Sequence, residues 1–213
     1  MNIAILYKFI IRGKIFILGL KSLKTSKYFS RSRVAAVVAI SMSLYQLYIG
    51  FVGQPIAYIH RPMHVMFDLI VLFLVKPSTY TSHNWKKYIG IFWDIFVIGM
   101  ALASCIYLII NAKYLQERMV YVYLLTPLQI ILGMGLIIAL LDAVRRVLSW
   151  ALVGLVSIFL IYGWVGKFLP YPFWHRGYSL SSIVEVVYLT TEGIFTIPIG
   201  VTANYIFLFV LFG

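Results

Sequence analysis

Residues 89–110 read Ile-Gly-Ile-Phe-Trp-Asp-Ile-Phe-Val-Ile-Gly-Met-Ala-Leu-Ala-Ser-Cys-Ile-Tyr-Leu-Ile-Ile, with Asp94 as the single charged residue. A helix needs about 20 mostly apolar residues to cross the hydrocarbon core of a bilayer. There it must pair its backbone groups within itself, because no water is available to do so. This run meets both conditions and predicts a membrane-spanning helix. Comparable runs occupy 34–52, 122–141 and 148–165. A fifth, 63–75, is short and lies between Arg61-Pro62 and Lys76-Pro77. It reaches spanning length only if residues 56–59 join it and Pro62 merely kinks the helix. After Pro198 a last apolar run begins at Ile199 and is cut off at about 15 residues, short of a full span. The expected fold is an all-α integral membrane protein: five transmembrane helices, a truncated sixth and an N-terminal basic amphipathic segment. The expectation from the last run is that the sequence is the front part of a larger membrane protein.

The bulk composition agrees. The chain of 213 residues is 62% hydrophobic and 11% charged, with a mean hydropathy of +0.96. Soluble domains carry about 25% charged residues, so a water-soluble globule is excluded. The formal net charge of +12 raises a nucleic-acid reading. The basic residues lie mostly at the ends of apolar runs, however, which suits anionic lipid headgroups as partner and not nucleic acid. Cys105 is the only cysteine, so no intramolecular disulfide can form.

Residues 1–33 hold no acid and eight bases: Lys8, Arg12, Lys14, Lys21, Lys24, Lys27, Arg31 and Arg33. Three readings stand side by side. The segment lies on the cytoplasmic leaflet as an interfacial helix, or it is a loosely structured basic tail, or it is a targeting segment. Charge bias in the loops sets orientation. With the N-terminus inside, the cytoplasmic segments hold those eight plus Lys76, Lys86, Lys87, Arg145 and Arg146. The opposite side holds only Arg61, Lys113, Arg118, Lys167 and Arg176. The N-terminus is therefore expected in the cytoplasm. Trp85, Tyr88, Trp93, Tyr114, Tyr121, Tyr123, Trp150, Trp164, Tyr171 and Trp174 fall near span ends, as an aromatic belt does.

Six acids make each one informative. Asp68 lies within the second span and Asp94 about a turn into the third. A carboxylate at membrane depth costs about 2.5–3.5 kcal/mol and faces protein or water. Each is read either as part of an ion or proton pathway or as a buried carboxylate paired to a neighbouring helix; Asp94 can also lie near the headgroups. Asp142 with Arg145 and Arg146 has the i, i+3 and i, i+4 spacing of a helix-surface ion pair, and its expected role is structural pinning at the interface. His60 and His64 are four apart, a spacing that presents both on one helix face were Pro62 not between them. His83 and His175 fall in loops. No second span supplies a facing histidine, so neither haem nor zinc is expected, and no cofactor is. His175 with Arg176 is expected to cap a loop at the outer surface. Gly133 and Gly135, and the small-residue pairs Gly99/Ala103 and Gly135/Ala139, suit close helix packing. No phosphate-binding G-x-x-x-x-G-K, G-x-S-x-G or H-E-x-x-H occurs, and the chain is not expected to be an enzyme.

The stretch His175-Arg176-Gly177-Tyr178-Ser179-Leu180, then residues 188–195 (Tyr-Leu-Thr-Thr-Glu-Gly-Ile-Phe), 197–201 (Ile-Pro-Ile-Gly-Val) and 207–213 (Phe-Leu-Phe-Val-Leu-Phe-Gly), resembles the fused permeases of the tripartite ATP-independent periplasmic (TRAP) transporters. Residues 140–146, an acid followed by two arginines, resemble that family's junction into the helix joining its small and large membrane domains. Thr196 departs from the pattern, which has glycine there. The resemblance implies four parts: a basic segment at 1–33, a four-helix small-permease-like domain at 34–147, a connecting helix and outer loop at 148–174, and the start of a large permease domain at 175–213. It implies uptake of organic acids, driven by a sodium gradient and delivered by a periplasmic solute-binding protein, in a bacterial inner membrane. The large permease domain would be a partner, and this part would mainly brace it. The resemblance carries over no sodium or substrate ligand. Glu192, with Thr191 and Asn204, is a polar group near membrane depth. The competing expectation is a membrane anchoring or assembly subunit with no transport of its own, favoured by the basic tail and by a lack of buried charge pairs.

Overall fold

A computed structural model describes residues 26–78 and 84–212. Of the basic segment, residues 1–25 lie outside the described residues, as does His83. The rest is built from helices, with no strand among the described residues. Helix α1 is Ser26–Val52, α2 Ala57–Val75, α3 Asn84–Ile110, and the short α4 Ala112–Glu117. Then come α5 Pro127–Val147 and α6 Trp150–Val165, which runs into a 3₁₀ turn at Gly166–Phe168. Two shorter helices close the fold, α7 Leu180–Leu189 and α8 Ile197–Val210. Helices α1, α2, α3, α5 and α6 are each long and apolar enough to cross a membrane. The protein is an all-α membrane protein.

Helix α1 takes in residues 26–33 of the basic segment, and α3 begins five residues ahead of 89; the starts of α2 and α5 differ from the expectation for local reasons. Pro62 sits inside α2 and the helix continues through it. It falls in the second turn, where the missing N–H forfeits one hydrogen bond, and residues 57–61 extend the short run to 19 residues. Helix α5 begins at Pro127, not at residue 122. The Thr126 hydroxyl accepts from the Gln129 N–H (3.3 Å), while the Gln129 side-chain oxygen accepts from the Thr126 N–H (2.9 Å). This reciprocal cap, with Pro at the first helical position, fixes the start. Residues 122–125 are apolar, but they lie in the loop ahead of that cap.

The core is the seam where α2, α3, α5 and α7 meet. Val97, Ala101, Cys105 and Leu108 form the buried stripe of α3, and Leu132, Leu136, Ala139 and Ala143 that of α5. The steps of three and four residues are those of one helix face. Helix α5 comes close to its neighbours because it is small there. A Cβ on Gly133 would stand 2.5 Å from the Val184 side chain of α7, and one on Gly135 would meet the end of Met100 on α3. Gly99, by contrast, faces open space and makes no close approach. Helix α6 has no buried residue among the sixteen of Trp150–Val165, so nearly its whole apolar surface faces outward.

Helix α7 is too short to span, and a tight turn joins it to α8. The Ile194 N–H donates to the Val187 carbonyl (2.8 Å), and Gly193 packs so closely that a Cβ would fall 2.3 Å from the Val187 Cα. Thr196, where the resemblance expects glycine, has φ −77° and ψ −174°, extended backbone open to any residue. The Tyr188 hydroxyl donates to the Ser104 carbonyl (2.8 Å) and ties α7 to α3.

Candidate functional site

The polar residues of the sequence gather in three places. At the end of the bundle where α2 finishes and α5 ends, Arg146 is the hub. Its Nε donates to Asp142 (2.8 Å), one terminal nitrogen to the Lys76 carbonyl (3.0 Å), and the other contacts Asp94 of α3 (2.8 Å). The Arg146 and Asp94 side chains are 6% and 3% exposed. Asp94 also accepts from the Ser78 N–H (3.1 and 3.2 Å). Arg145 pairs with the other Asp142 oxygen and lies over the Trp150 ring at 5.3 Å. The Arg146 guanidinium stacks on Phe73 at 4.6 Å. Two carboxylates face two guanidiniums, so every charge is answered. Asp142 thus makes both expected pairs along α5, and through Arg146 it belongs to a buried network across three helices.

At the opposite end Arg118 and Glu185 form a second buried ion pair, 2.8 Å apart with side chains 3% and 4% exposed. Arg118 also donates to the Tyr123 carbonyl (2.7 Å), and Glu185 accepts from the Tyr121 N–H (3.2 Å). Tyr121 has φ +66°, a region that bulky side chains enter only under constraint. The strain turns its N–H toward Glu185. The expectation that buried charge pairs are lacking therefore fails. Charge in a loop and midway along a short helix resembles solvated charge in a sequence, and only tertiary packing brings these two groups together.

Beside this pair the loop after α6 folds back. The His175 Nε2 lies 3.0 Å from the Tyr162 carbonyl, and the Gly177 N–H donates to Nδ1 (3.0 Å). The ring so placed carries its proton on Nε2. Gly166 leaves room for it, since any Cβ there would overlap the ring. His175 therefore caps the end of α6, and Arg176 is exposed beside it. Tyr121, Tyr162, His175, Arg176, Tyr178 and Ser182 line an open cleft of about 990 Å³. Glu192 is exposed; its N–H donates to the Thr190 hydroxyl (3.1 Å).

The third place lies within the spans, between α1, α2 and α8. His60 and His64 are both buried on the same face of α2, with Pro62 between them. The Gln46 side-chain nitrogen of α1 is 3.2 Å from His64 Nδ1, and Asp68 Oδ2 is 3.3 Å from His64 Nε2. Tyr45 of α1 faces the His60 ring at 6.1 Å, Asn204 of α8 lies beside it, and Phe207 meets His64 edge-on. Among the described residues, the buried side-chain atoms without a hydrogen-bond partner are Tyr45 Oη, both His60 nitrogens, His64 Nε2 and Asn204 Oδ1. All five belong to this one seam. Asp68 thus pairs with His64 along its own helix. Asp68 was singled out by sequence; Tyr45 and Gln46 were not, because one Tyr or Gln in an apolar run carries no spacing signal.

No group of three or more histidine, cysteine, aspartate or glutamate side chains among the described residues could hold a metal ion. No protein-family model, no curated protein and no solved structure matches this chain.

Proposed function

We propose that the chain is the bracing part of a TRAP-type secondary transporter. It would sit in a bacterial inner membrane with its N-terminus in the cytoplasm. The whole assembly would take up an organic acid with a sodium gradient and a periplasmic solute-binding protein. The residues at 140–146 and 175–213 that resemble the fused permeases support this reading. So does the geometry of a brace. Arg146 and Arg118 lock opposite ends of the bundle through buried ion pairs, which resists sliding of its helices. The observation that carries most weight is α6, a spanning helix with none of its residues buried. A strut that joins two membrane bodies would need such a surface for lipid and for the second body. Sodium and substrate would be bound in the large domain, of which 175–213 is the start in this reading.

Uptake of labelled organic acids tests it, in cells or proteoliposomes holding the full-length parent and its matched binding protein. Sodium-dependent uptake by the parent, with none by residues 1–213 alone, is the expected result. Uptake by this chain alone would overturn the bracing role. No sodium-dependent uptake of any organic acid by the parent would remove the transporter reading and leave an anchoring or assembly subunit.

A further inference from the structure

We propose that His64, held between Asp68 and Gln46, is a proton-binding site within the membrane whose occupancy is read by α1. The proposal stands apart from the transport reading. The side-chain nitrogen of Gln46 can only donate, and it lies 3.2 Å from Nδ1. Nδ1 therefore offers its lone pair, and the single proton of the neutral ring sits on Nε2, facing the Asp68 carboxylate at 3.3 Å. A second proton has to go to Nδ1, where it would confront the N–H groups of Gln46. Turning the amide over, by about 180°, presents its oxygen instead. Protonation and the Gln46 orientation are thus one event, and the imidazolium so formed is balanced by Asp68.

The seam has the means to pass a proton. Asp68 is 35% exposed while His64 is 1%, so the pair joins the bundle surface to its interior. One turn away, Tyr45 Oη, His60 and Asn204 Oδ1 combine donors with acceptors and leave them unused. A metal ion wants acceptors only and an anion donors only. A mixed set suits water, which does both. Among the described residues, the charged and titratable neighbours are Asp68, His60 and Arg61 on α2 and Tyr45 on α1. Arg61 is occupied by the Phe195 carbonyl (2.6 Å), and α8 brings the neutral Asn204 and Phe207. The step makes one N–H bond at Nδ1 and breaks one O–H bond of hydronium, leaving water; nothing is oxidised or reduced.

Nitrogen-15 NMR of histidine- and glutamine-labelled protein in lipid nanodiscs tests this across about pH 5–8. The His64 signal is identified by its loss in His64→Gln. The expected result is a ring with its proton on Nε2 at the upper end and a doubly protonated ring at the lower end, with the Gln46 amide signals moving in step. At a fixed pH, Gln46→Glu should raise the ratio of doubly to singly protonated ring about tenfold, since a carboxylate then faces Nδ1. Asp68→Asn should lower it. A His64 ring that keeps one neutral form throughout, in the native protein and in Gln46→Glu, overturns the proposal. So does a ring that titrates while the Gln46 amide stays unchanged.

Discussion

Replacing Arg146 by methionine keeps the aliphatic part of the side chain but removes every contact its guanidinium makes, the stacking on Phe73 included. The polar losses are the hydrogen bond to Asp142, the pairing with Asp94, and the donation to the Lys76 carbonyl. Asp142 retains Arg145, and Asp94 retains the Ser78 N–H, so neither carboxylate is abandoned entirely. Removing one partner of a buried pair costs about 3–5 kcal/mol, because the remaining charge stays buried. Arg146→Met should therefore shift the unfolding constant by about two to four decades. Asp94→Asn in the same background should give back part of this, with a coupling of about 1–3 kcal/mol between the two sites. Reversible unfolding in mixed micelles, followed by tryptophan fluorescence, measures all four corners of the cycle. An Arg146→Met cost below about 1 kcal/mol, the range of exposed salt bridges, would refute the view that this network pins the bundle.

Three further outcomes follow from single contacts. Gly133→Ala should destabilise by about 1–3 kcal/mol, since its Cβ meets the branched Val184 and the Tyr188 ring, whereas Gly99→Ala, with open space before it, should be neutral or stabilise by up to about 1 kcal/mol. Thermal unfolding of the two variants side by side checks this contrast. Tyr188→Phe deletes the hydroxyl that donates to the Ser104 carbonyl and should cost about 0.5–1.5 kcal/mol in the same assay. Glu185→Ala should free the Tyr121 N–H and remove the Arg118 partner, so that hydrogen exchange rises at residues 118–123 while α3 keeps its protection; unchanged exchange in that loop would show that Glu185 does not hold it.

The spans were legible because length and hydropathy act locally: 89–110 has only one way to satisfy its backbone in lipid. The small residues of α5 also signalled close approach, though Gly99 shows that the same spacing on α3 meets nothing. Where the outcome depended on one side chain, the pattern was weaker. The apolar run 122–125 continued the hydropathy signal past the true start of α5, and the Thr126–Gln129 cap overrode it. The site was less legible than the fold. Arg118 and Glu185 lie 67 positions apart, and no periodicity joins them. The seam around His64 is built from three helices, and its polar members are single residues in apolar runs. Only the folded arrangement shows that their unused donors and acceptors gather in one seam.

The arrangement of the helices across the membrane is the claim on which the rest depends, and cysteine labelling reads it directly. The one native thiol, Cys105, is fully buried and adds no background. With a membrane-impermeant maleimide on intact cells, Lys113→Cys and Arg176→Cys should be labelled, and Lys86→Cys should be labelled only after the membrane is opened. Labelling of Lys86→Cys in intact cells, with Lys113→Cys protected, would contradict the layout.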